Sequence, residues 1–352
     1  MKQRSSISAK IFNWELWPFM LRYSLIIPVW FWYCLRARSL WFFSTSNPTI
    51  TFGGFEGEAK REMYDLLPEG TFPVTVYVNP KDMIEDVHLV IRKAGLQYPF
   101  VVKPDIGMKG LLFRKIDNAG ELEAYHQKVP VDYIVQELVE YPLEVSVFYF
   151  RYPWEKRGVI TGFIQKDLMD VYGDGRKTLW QLIQEHPQAQ YRQEEMRVKH
   201  QEQLHKVIPH GERFILTYAA NLNRGARFTN LHDQIDAALL DVFDPISRRA
   251  QFFYGRYDIK CASIADLKAG RNFTILEFNG AGAEPNHVYH SGFSLFAAYS
   301  VFLMHWKVLY RISIYNHRQG LPFWSFRRGW HFLRVARKHL AVLEKYDASI
   351  PV

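Results

Sequence analysis

The chain has 352 residues, 48% of them hydrophobic and 23% charged, and carries a net charge of +8. This excludes a disordered or fibrous chain, and the length is enough for one large core or two medium ones. The only cysteines, Cys34 and Cys261, allow neither a disulfide framework nor a cysteine metal site, which points to a reducing cytoplasm, while the positive charge favours anionic partners.

The aromatic content of 16% is concentrated at the two ends. Residues 14–43 read WELWPFMLRYSLIIPVWFWYCLRARSLWFF. The uncharged run from Tyr23 to Leu35 is shorter than the ~20 residues that span a bilayer, and Pro28 interrupts it. Lys10, Arg36 and Arg38 flank it, and Trp, Tyr and Arg suit the headgroup boundary. The pattern predicts an interfacial or re-entrant segment in one leaflet. The alternative is an apolar arm packed on the protein's own body. No small-residue cleavage site marks a signal peptide.

Conventional α/β material follows. EAKREMYDLLPEG reads as a helix, FPVTVYV as a strand, and KDMIEDVHLVIRKAG as a helix ending at Gly95. VVKPDIGMKGLLF, residues 101–113, reads as a strand–loop–strand hairpin. Pro104 breaks its ladder and Gly107 and Gly110 allow a tight turn, so Lys103, Lys109 and exposed N–H groups could cover an anion. DYIVQELVE and EVSVFYFRY alternate as strands. GDGRKTLWQLIQEH is a glycine turn into a helix, and RFILTYAANLNRGARF a strand into a polar loop. DQIDAALLDVFDPISRRAQFF is an amphipathic helix, after which YGRYDIKCASI and RNFTILEFNG pair as strands.

Those last two strands carry the chemistry. Residues two apart share a strand face, so Glu277 and Asn279 point together, and Asp258 on the partner strand can lie alongside. Two acids and an amide supply only oxygen ligands, the preference of Mg²⁺. Arg256 falls on the same side as Asp258 and could hold a phosphoryl group. His287 and His290 follow closely and read as structural or substrate-lining residues, not ligands. At the C-terminal end, residues 293–310 are apolar and aromatic. FRRGWHFLRVARKHLAVL then places Phe326, Trp330, Leu333, Leu340 and Leu343 near one helical face, with Arg327, Arg334 and Lys338 largely elsewhere. No nucleic-acid reader motif occurs.

In this order the parts from about residue 56 to 290 resemble the ATP-grasp superfamily. They are similar to D-alanine–D-alanine ligases around the nucleotide and metal, and to cyanophycin synthetases in the middle. The resemblance implies an α+β fold in which two α/β subdomains clasp ATP over residues 56–292, between an aromatic arm at 1–55 and helices at 293–352. It implies that Lys60 and Lys103 bind phosphate and that Gly107, Lys109 and Gly110 form a phosphate loop. Glu137, Leu138 and Val139 become the adenine hinge, with Glu144 on the ribose hydroxyls. Asp258, Glu277 and Asn279 become Mg²⁺ (or Mn²⁺) ligands, and Arg256 a stabiliser of an acyl-phosphate. Asn221 and Arg224 would lie near the phosphates or substrate.

The implied activity is an ADP-forming carboxylate–amine (or –thiol) ligase acting on a small-molecule or lipid-linked acid. The alternatives are a kinase of the same fold and a non-catalytic nucleotide-binding membrane adaptor. The ligases compared carry a separate α/β domain ahead of the helix with Lys60, where this chain has the aromatic arm. That difference and the two ends point to a protein peripheral on the cytoplasmic face of a membrane.

Overall fold

The computed structural model describes residues 13–108, 110–217, 220 and 225–347. The arm holds two short helices, α1 (Phe19–Tyr23) and α2 (Ile27–Ala37). A first lobe follows with α3 (Lys60–Tyr64), β1 (Thr75–Val78), α4 (Ile84–Lys93), β2 (Phe100–Pro104), β3 (Arg114–Ile116), α5 (Ala119–Lys128) and β4 (Tyr133–Glu137). The second lobe begins with β5 (Leu143–Phe150), β6 (Val159–Asp167), β7 (Asp170–Tyr172), α6 (Leu179–Glu185), α7 (Gln193–Lys199), β8 (Arg213–Ile215) and β9 (Arg227–Asn230). It ends with α8 (Ala237–Arg249), β10 (Tyr254–Cys261), α9 (Ile264–Lys268) and β11 (Phe273–Asn279). Helices α10 (Leu295–Arg318) and α11 (Phe326–Asp347) close the described chain.

The first lobe is an antiparallel sheet in the order β1-β4-β2-β3, and the second an antiparallel sheet in the order β11-β10-β5-β6-β9, with β7 and β8 forming a separate ladder. The hairpin expected at residues 101–113 is present as β2 and β3, paired Phe100↔Ile116 through Val102↔Arg114. Only Lys60–Tyr64 of the longer helix expected there is helical. Thr178 and Gln181 cap α6 reciprocally, which sets its start directly after the glycine turn. β6 is absent from the elements expected from sequence, although its β-branched start, Val159–Ile160–Thr161, is the signal for it.

The arm has two sides. Trp14, Tyr23, Ile26, Cys34, Phe42 and Phe43 are buried, with Tyr23 against Phe302 and Trp30 against Phe42 and Trp306. Its far end is threaded into the body. The Asn47 side chain donates to the carbonyls of Gly53 and Tyr254 and accepts from the N–H groups of Phe253 and Tyr254. A buried amide with all of these bonds made is a rigid joint. Backbone meets backbone nearby: Gly282 N–H bonds Gly54 O at 3.0 Å, and a Cβ on Gly282 would lie 1.9 Å from Phe55 O. The outward side is different. Leu25, Phe31, Trp32 and Leu35 are 68%, 55%, 57% and 72% exposed. Among the described residues no helix is long and apolar enough to cross a membrane.

Helix α11 departs from expectation. Leu333, Leu340 and Leu343 do pack on the body, but Phe326 and Trp330 stay exposed, stacked on each other at 6.0 Å. The close approach is made at Gly329, where a Cβ would lie 2.5 Å from the Trp41 indole nitrogen, and the two aromatics flank that contact. The helix is therefore docked along most of its length.

Two buried histidines link α10 to the second sheet. His305 is fully buried, edge-on to Phe148 at 4.3 Å and 5.8 Å from His287, and neither of its ring nitrogens meets a partner. Burial, with His232 adding repulsion, pushes the His287 pKa down to about 4. The folded value lies below the unfolded one, so the unfolded chain takes up more protons between pH 6.5 and about 4. Stability should be complete above that window and decline as pH falls through it, by about 3 kcal/mol for His287 alone. Urea unfolding at pH 7.5 and 4.5 checks this. His287→Gln should lose distinctly less stability on acidification than the wild type, and equal losses would exclude His287 as the source.

Candidate active site

The lobes enclose a cleft of about 450 Å³. Lys60, Lys103, Gly107 and Gly110 face it from the first lobe, and Glu137, Leu138 and Val139 from the crossing strand. The second lobe contributes Glu144, Arg256, Asp258, Glu277 and Asn279. Residues far apart in sequence thus line one cleft. Lys109, Asn221 and Arg224 lie outside the described residues.

The β10–β11 register explains the acidic wall. Asp258 pairs with Glu277 and Arg256 with Asn279, and residues directly opposite in a ladder share a face. Asp258 is the most constrained of them. Its Oδ1 accepts from Ser146 Oγ at 2.7 Å, Lys166 Nζ at 2.8 Å and Arg256 Nε at 3.2 Å. Although burial opposes it, Arg256 and Lys166 hold the Asp258 carboxyl well below the usual range. Lys166 also reaches Glu144 at 3.6 Å, and burial raises the Glu144 pKa against that pull. Glu277, by contrast, has no hydrogen bond or ion pair among the described residues.

The cations of the first lobe are less satisfied. Lys60 is buried and, among the described residues, its Nζ meets only the Asp105 carbonyl, at 3.4 Å. Lys103 has no hydrogen bond or ion pair among the described residues. Burial lowers its pKa, while Glu277 and Glu144 pull it back up from a distance. A half-buried ammonium without a direct partner has lost part of its hydration, and an arriving anion would relieve it. At the crossing strand the Glu137 carboxylate accepts from Val74 N–H at 3.3 Å, and Lys260 Nζ occupies the Val139 carbonyl at 2.8 Å. Among the described residues the Val139 N–H has no hydrogen-bond acceptor.

Asp258, Glu277 and Asn279 form one wall of two carboxylates and an amide. That donor set fits Mg²⁺, which fills its other positions with water and phosphate oxygens. Among the described residues no three His, Cys, Asp or Glu side chains are grouped to hold a metal by themselves, so an ion here would depend on the amide and on substrate oxygens.

The far end of the cleft holds residues not expected from sequence. Tyr23 and Tyr289 both donate to the Glu284 carboxylate, Arg22 donates to the Tyr289 hydroxyl, and Arg256 Nη1 donates to the Glu284 carbonyl at 3.2 Å. Helix α1 therefore braces Glu284 and Tyr289, which line the cleft beside Arg256. Tyr23 and Glu284 are 261 residues apart, and no local pattern signals such a pair. Lys166 was legible in principle, as the cleft-facing residue of VITGFIQKD. His290 Nδ1 accepts from Phe228 N–H at 3.0 Å, and His287 lines a separate crevice with Asn230 and His232.

No protein-family model matches the sequence, and no curated protein does. The chain is similar to solved ATP-grasp ligases. One is a bifunctional glutathione synthetase from Pasteurella multocida, at 14% identity and a TM-score of 0.37, over 70% of this chain and 36% of that one. A second is the ATP-grasp ligase PsnB complexed with minimal precursor, at 16% and 0.38, over 70% and 60%. A third is D-alanine–D-alanine ligase from Bacillus anthracis, at 13% and 0.39, over 80% and 68%. The chain thus spans less than two thirds of the length of the first two. The superposition is loose, and the cleft's own residues have to carry the chemistry.

Proposed function

We propose that this chain is an ATP-grasp ligase, an ATP- and Mg²⁺-dependent enzyme that joins a carboxylate to an amine (or thiol) and releases ADP and phosphate. The observation that carries the reading is the half-buried Lys103 ammonium, unpaired among the described residues, which shares one cleft with buried Lys60, Arg256 and an all-oxygen wall.

A carboxylate does not react with an amine near neutrality, because oxide would have to leave. Transfer of the ATP γ-phosphoryl to a carboxylate oxygen forms an acyl-phosphate and ADP. Attack by the nucleophile forms the new bond to the acyl carbon, breaks the carbon–oxygen bond to phosphate, and sends the nucleophile's proton to solvent or phosphate. Such transfer needs positioning and positive charge more than a protein nucleophile. Lys60, Lys103 and Lys109 hold the phosphates, with Gly107 and Gly110 giving backbone access. Glu137, Leu138, Val139 and Glu144 seat the nucleoside. Asp258, Glu277 and Asn279 hold Mg²⁺, which when bound neutralises phosphate-oxygen charge. Arg256, with Asn221 and Arg224, faces the acyl-phosphate. The acid is a small-molecule or lipid-linked carboxylate, and the outward face of α2 (Phe31, Trp32 and Leu35), with Leu25 just before it, seats the protein on the cytoplasmic surface of a membrane.

Purified protein with MgATP and a metabolite or lipid extract tests the chemistry. ADP and phosphate rising together only when a nucleophile is present is the expected result. A phosphorylated end product would identify a kinase instead. Nucleotide binding without any turnover would identify an adaptor.

A further inference from the structure

The glycine loop between β2 and β3 is held at both ends by α11. At its start, His339 Nε2 donates to the Ile106 carbonyl at 2.7 Å. At its end, Asp347 Oδ1 accepts from Leu112 N–H at 2.7 Å and from Arg114 Nη1 at 3.2 Å, while the Asp347 carbonyl takes Arg114 Nη2 at 2.6 Å. Asp347 and Arg114 are 233 residues apart, and Arg114 is buried. Leu112 has φ 55°, a left-handed conformation that L-residues other than glycine seldom adopt. It persists because both of its backbone groups are taken: the N–H by Asp347, and the carbonyl by the Tyr125 hydroxyl at 2.9 Å.

Between these anchors Gly107, Met108, Gly110 and Leu111 line the cleft. The helix is itself pinned to the first lobe by Leu340, Leu343 and Tyr346. It also bears on the turn leading to Lys60. A Cβ on Gly57, which has φ 79°, would sit 3.2 Å from the Phe332 ring and 3.3 Å from the Ala336 methyl. One helix thus touches both cation-bearing segments of the first lobe.

We propose that α11 is a strap that positions the nucleotide site, with His339 and Asp347 holding the glycine loop in the backbone shape that receives a nucleoside triphosphate. This rests on the ATP reading above. Glycines lose more conformational freedom on ordering than other residues. A loop anchored beforehand spares the nucleotide that ordering cost, and the affinity rises accordingly.

MgATP is the probe, with its Kd measured by calorimetry on the full chain beside Tm. Asp347→Ala and His339→Ala should each weaken MgATP by about tenfold. His339→Gln keeps an N–H donor and should return close to the wild-type Kd. Leu340→Ala thins the packing of α11 without touching the loop, so it should lower Tm while leaving Kd nearly unchanged. Wild-type affinity in both Asp347→Ala and His339→Ala would overturn the strap while leaving the nucleotide site standing. So would losses that merely follow Tm as in Leu340→Ala. A wild-type chain that binds no MgATP would overturn the nucleotide reading and the strap with it.

Discussion

Glu277→Ala should lower ADP formation by about 10²- to 10³-fold while the protein remains folded. Glu277 is the informative residue because it faces the cleft without a protein partner among the described residues, so its removal strands nothing. Asp258 is the opposite case. Removing its carboxylate would take from the buried Lys166 and the half-buried Arg256 the counter-ion they share, a loss on the order of 3–5 kcal/mol that would mix unfolding with catalysis. Asn279→Ala should behave like Glu277→Ala, since its one bond to Asp258 is long, at 3.4 Å. Turnover and the urea midpoint should be read together on the same preparations. Near-wild-type turnover in both variants would mean that the β11 wall does not hold the metal.

Serine at Phe31, Trp32 and Leu35 together should abolish vesicle binding. Helical spacing places these three on one outward face of α2, and each is more than half exposed. A soluble surface seldom gathers such side chains without a partner. Burying each in the headgroup boundary contributes ~2 kcal/mol, so the triple change should lower partitioning by about 10³-fold or more. Arg36 and Arg38 lie at the end of the same helix, and each would add ~1 kcal/mol at an anionic surface. Salt should therefore weaken the binding without removing it. Flotation with anionic and with zwitterionic vesicles measures both effects, and circular dichroism controls for folding. Wild-type protein that stays behind from anionic vesicles at low salt, without detergent, would remove the membrane from the proposal.

The two predictions draw on different levels of the molecule. The acidic wall was legible from sequence because strand faces alternate strictly, so GRYD and LEFNG each announce which residues point together, and antiparallel pairing does the rest. The hairpin at Lys103 was legible for a similar local reason, a β-branched run broken by proline and two glycines. The aromatic arm was legible only as a composition. Which of its rings would be buried depends on α10 and on the loop after β11, and these come into contact only when the chain closes on itself.

Sequence by itself therefore determined most of the elements, the cations Lys60, Lys103 and Arg256 and the oxygen-rich strand pair, because these follow from periodicity over a few residues. Tertiary structure alone decided that Asp258 is locked between Lys166 and Arg256, that Tyr23 of the arm reaches Glu284 in the cleft, and that α11 grips the glycine loop through His339 and Asp347. Each of those contacts joins residues whose spacing along the chain carries no information about their meeting. Their energy comes from burial and charge pairing, which exist only once the lobes, the arm and the last helix have packed together.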